Sequence, residues 1–99
     1  MARSPIHPGR FLADELEALN LNAAQAAEAL HVPANRLYQI LRGKRSLTAD
    51  TALRLGCWLG TSPELWMNLQ KLYELRLAEQ ESGPEIRRTI RKRQPVSVA

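Results

Sequence analysis

Two side-chain amides and a group of cations lie close together between positions 35 and 45, in the segment NRLYQILRGKR. The amide groups of Asn and Gln can pair in bidentate fashion with adenine, and the guanidinium group of Arg can pair with guanine. Cations just beyond such groups can contact phosphates, which sets register rather than sequence. This combination of residues predicts a surface that contacts base pairs in the major groove of DNA.

These groups can act together only if the segment is helical. Leu37, Ile40 and Leu41 are apolar at i, i+3 and i+4, which places them on one face of a helix and the polar side chains off that face. Such a polar face is usually only solvated, so the helix alone does not establish DNA binding. However, the preceding segment AAQAAEAL also predicts a short helix, and only HVP separates the two. Two short helices joined by a three-residue turn are typical of a helix-turn-helix.

Caps and apolar spacing predict three further helices and no strands, which makes the chain an all-α, five-helix bundle. N-terminal caps and first-turn prolines mark where helices begin, and glycines mark where they end. The first helix is expected over residues 8–20 and begins at Pro8, the second begins at Asn22, and the third begins at Pro33. The fourth runs from Thr48 to Gly60. The fifth begins at Ser62 and Pro63 and ends at Gly83 and Pro84.

The net charge of +4 is unevenly distributed over the 99 residues. Residues 82–99 carry five cations and one carboxylate, so residues 1–81 are neutral overall. We therefore expect one helix-turn-helix domain over residues 1–81 and a basic tail over residues 82–99. Residues 34–54 are also basic, which indicates a polyanion as partner. Residues 11–28 contain only acidic charges, which indicates a surface that either stays away from that polyanion or binds a basic partner.

Several kinds of function are not expected from this sequence. Cys57 is the single cysteine, so no disulfide within the chain is possible, and His7, His31 and Cys57 lack the spacing of metal ligands. No cofactor motif and no catalytic constellation is present, so we do not expect an enzyme. Apolar runs are far shorter than the ~20 residues that a membrane span needs. We therefore expect a cytoplasmic protein that does not associate with a membrane.

The segments HPG, VPANRL, GKRSLTADTALRLG and TSPELWMNLQ closely resemble the HigA family of antitoxins. The resemblance covers residues 6 to about 78. It implies an Xre-type, phage-repressor-like helix-turn-helix protein, commonly dimeric, that binds operator DNA. It also implies a partner toxin of the RelE-like mRNA interferase class and repression of the operon that encodes both proteins.

The resemblance and the residue pattern together predict three sets of site residues. The DNA-binding residues are expected to be Asn22, Ala34, Asn35, Arg36, Gln39, Arg42, Lys44 and Arg45. Trp66, Tyr73 and Leu77 are expected at the homodimer interface, because one small bundle can hardly cover both their row and the row of Leu65, Leu69 and Leu72. The toxin is expected to bind at Asp14, Glu15 and Glu17 or at the adjacent Glu28. The basic tail is the competing candidate, which would instead repel a basic toxin or bind DNA.

Two other functions are compatible with the sequence. The first is a solitary Xre-type repressor without a toxin, which would have the same helix-turn-helix. The second is a protein-interaction module that has lost DNA binding. Only the latter would lack the steep salt dependence that phosphate neutralisation gives to DNA affinity.

Overall fold

The computed structural model describes residues 4–95, and this part of the chain forms five α-helices and no strand. The helices are α1 (Pro8–Ala18), α2 (Ala23–Leu30), α3 (Ala34–Leu41), α4 (Ala49–Leu59) and α5 (Pro63–Thr89). The predicted all-α class and the count of five helices are therefore confirmed.

Local capping explains why most helices begin where the sequence predicts. Asn22 forms a capping box with Gln25, with bonds of 2.8 and 2.9 Å between side chain and backbone in both directions. Thr48 and Ser62 accept bonds from backbone N–H groups at the starts of α4 and α5. The first helix ends at Ala18 rather than at residue 20, because Asn20 takes a left-handed conformation.

The core lies among all five helices. Its fully covered side chains include Leu12 of α1, Leu37 and Ile40 of α3, and Leu55 of α4. Leu47 in the α3–α4 loop is buried, and its N–H donates to the buried Gln70 side chain at 2.9 Å. This bond ties the loop that follows the third helix to α5.

The end of the last helix differs from the sequence-based prediction, which placed it at Gly83 and Pro84. In the structure α5 runs through both residues and ends at Thr89. Pro84 removes one backbone hydrogen bond, but the guanidinium of Arg87 binds both carboxylate oxygens of Glu79 across Gly83. A Cβ atom at position 83 would overlap the Glu79 carboxylate, so glycine makes room for this ion pair. Arg87 also lowers the pKa of Glu79, mainly through this hydrogen bond.

No helix among residues 4–95 combines the length and the apolar character needed to cross a membrane.

Candidate DNA-binding surface

The helix α3 is held on the domain by its apolar stripe. Leu37 and Ile40 are fully covered and Leu41 is partly covered, as the spacing predicted. The start of α1 packs closely on the end of α3, because Gly9 lies so near the Ile40 carbonyl that a Cβ atom there would overlap it. The position of α3 is therefore fixed by contacts with α1 as well as by its own core residues.

The predicted DNA-binding side chains of α3 and the following loop are accessible. Ala34, Asn35, Arg42, Lys44 and Arg45 are exposed, whereas Arg36 and Gln39 are partly covered. Asn22, at the start of α2, is exposed as well, but its side-chain oxygen caps the helix. Its amide NH₂ group takes no part in the cap and can donate to an external group such as a phosphate.

One pair within this set is joined directly. The Nε of Arg45 donates a hydrogen bond to Oε1 of Gln39 at 2.7 Å. The bond turns the NH₂ group of Gln39 away from Arg45, so that its two donors are available. Arg45, which the sequence associated only with phosphates, thus also orients a side chain that is expected to contact bases.

A polar cleft of about 420 Å³ lies beside α3, and the sequence analysis did not anticipate it. Arg36 and Arg45 line it from one side, and Thr48, Asp50 and Arg54 line it from the start of α4. Backbone N–H groups at a helix start favour anions. The cleft therefore adds an anion-attracting surface next to the predicted base-contacting face.

Arg54 has a structural role in this cleft. Its Nε binds Asp50 at 2.7 Å, and its Nη1 donates to the carbonyls of Leu30 and His31 at 3.0 and 3.3 Å. These bonds tie α4 to the turn between α2 and α3. The i, i+4 spacing of Asp50 and Arg54 could have revealed the ion pair in the sequence. The contact with the carbonyls of a turn more than 20 residues earlier could not be predicted from it.

His7 connects three parts of the domain at the end of α3. Its Nδ1 accepts the Gly9 N–H at 2.9 Å and so caps α1. Its ring packs edge-on against Tyr73 with 4.9 Å between centroids, and Gly43 lies alongside. Burial lowers the pKa of His7 below 6.5, although a hydrogen bond with the Arg45 backbone acts in the opposite direction. The neutral imidazole is therefore the form that fits this junction.

The residues predicted at a dimer interface lie on the side of α5 that faces the bundle. Trp66 is only 4% exposed, and its indole N–H donates to Thr61 Oγ1 at 3.0 Å, so this side chain belongs to the core. Tyr73 and Leu77 are partly covered on the same side of the helix. In the other predicted row Leu65 and Leu72 are exposed, whereas Leu69 is partly covered and packs against the core. The exposed apolar side chains of the α5 region are Leu65, Leu72, Leu75, Ile86 and Ile90.

The three acidic residues predicted to receive a toxin are all exposed but do not share one surface. Asp14 and Glu15 border a groove of about 390 Å³ whose apolar walls include Phe11, Leu65 and Leu69. Glu17 lines a different cleft, together with Asn20 and Asn22. Glu15 and Glu17, two residues apart on α1, point to different sides of the helix, and Asp14 lies between them.

No group of three or more His, Cys, Asp or Glu side chains within residues 4–95 is arranged to hold a metal ion.

Comparison with known proteins defines the class to which this fold and surface belong. A helix-turn-helix family model matches residues 12–66, which is more than half of the chain. Virulence-associated protein I of Dichelobacter nodosus is 46% identical over 77 residues, which are 77% of this chain and 71% of that protein. The class is therefore that of helix-turn-helix proteins.

Solved structures narrow this class further. A HigA-family addiction module antidote protein from Coxiella burnetii is 47% identical, with a TM-score of 0.90, over 92% of this chain and 100% of that chain. The Pseudomonas aeruginosa antitoxin HigA, solved with the higBA promoter, is 41% identical, with a TM-score of 0.88, over 91% of this chain and 99% of that chain. The chain belongs to the helix-turn-helix family and, within it, to the HigA antitoxins. Proteins of this family are regulators, so the expectation that the chain is not an enzyme is confirmed.

Proposed function

We propose that this protein binds a palindromic operator as a homodimer, represses the operon that encodes it and neutralises a RelE-like mRNA interferase toxin. The observation that carries DNA binding is the accessible amide and guanidinium face of α3, on a helix whose apolar stripe is covered. The Pseudomonas aeruginosa relative, solved with promoter DNA, supports the same role. In such a dimer the two copies of α3 would lie about one turn of DNA apart, ~34–36 Å.

A salt titration with the DNA upstream of the protein's own gene tests this proposal. Asn35→Ala should weaken binding to that DNA by ~1–3 kcal/mol. Binding to a scrambled duplex should be nearly unchanged, because non-specific DNA binding is mainly electrostatic. Lys44→Ala should weaken both and should reduce the slope of log affinity against log salt by about 1.

Lys71→Ala is the control for Lys44→Ala, since it removes another exposed cation, which lies on α5 and pairs with Glu74. It should change neither affinity. If the wild-type protein shows no salt-dependent binding to either duplex, DNA binding is excluded and the interaction module becomes the better description.

The dimer is expected to form through the exposed apolar stripe of α5, defined by Leu65, Leu72, Leu75, Ile86 and Ile90. These positions are separated by intervals of seven, three, eleven and four residues, so they share one side of the helix. A hollow of about 190 Å³ lies between Leu75 and Ile86 and could accept a side chain of a second copy. Sedimentation of a Leu72→Ala, Ile86→Ala double variant tests this: it should be monomeric at concentrations where the wild type is dimeric.

The toxin is expected to approach the acidic side of α1. Toxins that act on the ribosome are expected to be basic, and complementary charge mainly accelerates association. Asp14, Glu15 and Glu17 remain the proposed residues, but the structure divides them between two clefts. Asp14→Lys and Glu17→Lys should therefore slow association to different extents at low salt. Equal on-rates for both variants and the wild type would exclude this surface.

A further inference from the structure

The groove between α1 and α5 has two properties that together specify what could fill it. Its walls are apolar, with Phe11 and Leu65 each more than 40% exposed, and its rim carries the carboxylates of Asp14 and Glu15. Neither carboxylate forms an ion pair with a cation among residues 4–95. A suitable occupant is therefore a strongly basic segment, because the methylene groups of Arg and Lys side chains can cover apolar walls while their charged ends meet the carboxylates.

The chain itself contains such a segment after α5. Ile90 leaves the helix in an extended conformation, and Arg91, Lys92 and Arg93 follow it, all exposed. Within one chain this segment is far from the groove. Thr89 and Leu65 are 24 residues apart on α5, which corresponds to about 36 Å. The six described residues after Thr89 span at most ~21 Å.

A second copy brings the segment to the groove if the two α5 helices pack antiparallel along their exposed stripes. With Leu75 placed against the partner's Ile86, Leu72 faces the partner's Thr89, where its extended segment begins. From there to Leu65 is seven residues, or about 10 Å along the helix. The five extended residues 91–95 cover about 16 Å, so they pass the whole groove.

We propose that the basic segment of residues 91–95 of one protomer docks in the groove between α1 and α5 of the other. Arg91, Lys92 and Arg93 then lie along Asp14 and Glu15, and Phe11 is covered by the partner. This inference rests on the proposed dimer and adds a second, reciprocal contact to it. A basic toxin that approaches Asp14 or Glu15 would have to displace the segment, whereas one that approaches Glu17 would not.

Site-specific disulfide formation between two differently substituted chains tests the proposal. All variants carry Cys57→Ala, because Cys57 is exposed. A Glu15→Cys chain mixed with a Lys92→Cys chain should give a mixed covalent dimer on mild oxidation. Glu17→Cys is the matched control, since it lies on the same helix but lines a different cleft, and it should form little crosslink with Lys92→Cys.

A charge-swap experiment gives an independent measurement. Asp14→Lys with Glu15→Lys should raise the dimer dissociation constant about threefold to tenfold at low salt, since exposed ion pairs contribute modestly. Adding Arg91→Glu and Lys92→Glu to the same chain should restore it.

The outcomes separate this inference from the proposed function. If the wild type sediments as a dimer but Glu15→Cys crosslinks no better than Glu17→Cys, the docking is wrong and the dimer stands. If the wild type sediments as a monomer, the proposed dimer and the docking both fail. If removal of residues 91–99 weakens DNA binding but leaves the dimer dissociation constant unchanged, the segment contacts DNA and the docking is also wrong.

Discussion

The hydrogen bond between Arg45 and Gln39 leads to a quantitative prediction about DNA recognition. Arg45→Ala should reduce selectivity for the operator as well as general affinity, because it releases Gln39. Fixing a long polar side chain at an interface costs about 0.5–1.5 kcal/mol. A bond of 2.7 Å that already holds Gln39 before binding removes much of this cost. We therefore expect a coupling of about 1 kcal/mol between the two residues in operator binding, or roughly a fivefold effect on affinity.

A double-mutant cycle measures this coupling. Affinities of the wild type, Gln39→Ala, Arg45→Ala and the double variant are determined on the upstream DNA and on a scrambled duplex. The loss in the double variant should be about 1 kcal/mol smaller than the sum of the single losses, and only on the upstream DNA. Lys44 is the control, since it is the neighbouring exposed cation and only its backbone N–H bonds to Gln39, at the carbonyl, a bond that Lys44→Ala keeps.

A specific result would refute this reasoning. Substitutions at residues that do not interact have additive effects within about 0.3–0.5 kcal/mol. Additivity of Gln39→Ala and Arg45→Ala within that range would mean that the bond does not contribute to recognition. Equal coupling on both duplexes would mean that the pair acts on phosphates alone.

Three further predictions concern the fold that supports this surface. Trp66→Ala should lower the free energy of unfolding by about 3–5 kcal/mol in thermal or denaturant unfolding, because it empties a core site; a variant of native stability that no longer dimerises would contradict this. Stability should fall as the pH drops below about 6.5, since the unfolded chain binds a proton at His7 more readily than the folded chain does. His7→Asn keeps a capping oxygen and should remove this contribution, and an unchanged pH profile in denaturant unfolding would exclude His7 as its source. Gly9→Ala should both destabilise the fold and weaken DNA binding, because the added methyl group pushes α1 away from the Ile40 carbonyl. If the variant keeps the stability and the DNA affinity of the wild type, α1 does not position α3.

The sequence alone determined where most helices begin and what the surface of α3 presents. Capping depends on side chains within three residues of the helix start, as with Asn22 and Gln25, so it can be recognised locally. The apolar stripe of α3 can also be recognised locally, because it depends only on residues three and four positions apart. The motifs of the helix-turn-helix were specific enough to indicate the HigA family, which the comparisons confirmed.

The end of α5 was predicted incorrectly because a single strong local signal was given too much weight. Gly83 and Pro84 are typical of a helix end. The structure instead continues the helix with an ion pair between Glu79 and Arg87, eight residues apart. Sequence patterns based on residues three or four positions apart cannot reveal a contact between residues eight positions apart.

Only the tertiary structure decided which side of α5 is covered. The sequence showed two apolar rows on one helix, and either could have faced the bundle. Trp66 is buried because α4 and the turn before α5 surround it and provide Thr61 as a partner for its N–H. The same packing leaves Leu65, Leu72 and Leu75 exposed and divides the acidic residues of α1 between two clefts. Which side chains are buried depends on how segments far apart in the sequence pack together. Caps and helical periodicity depend only on residues that are close together in the chain.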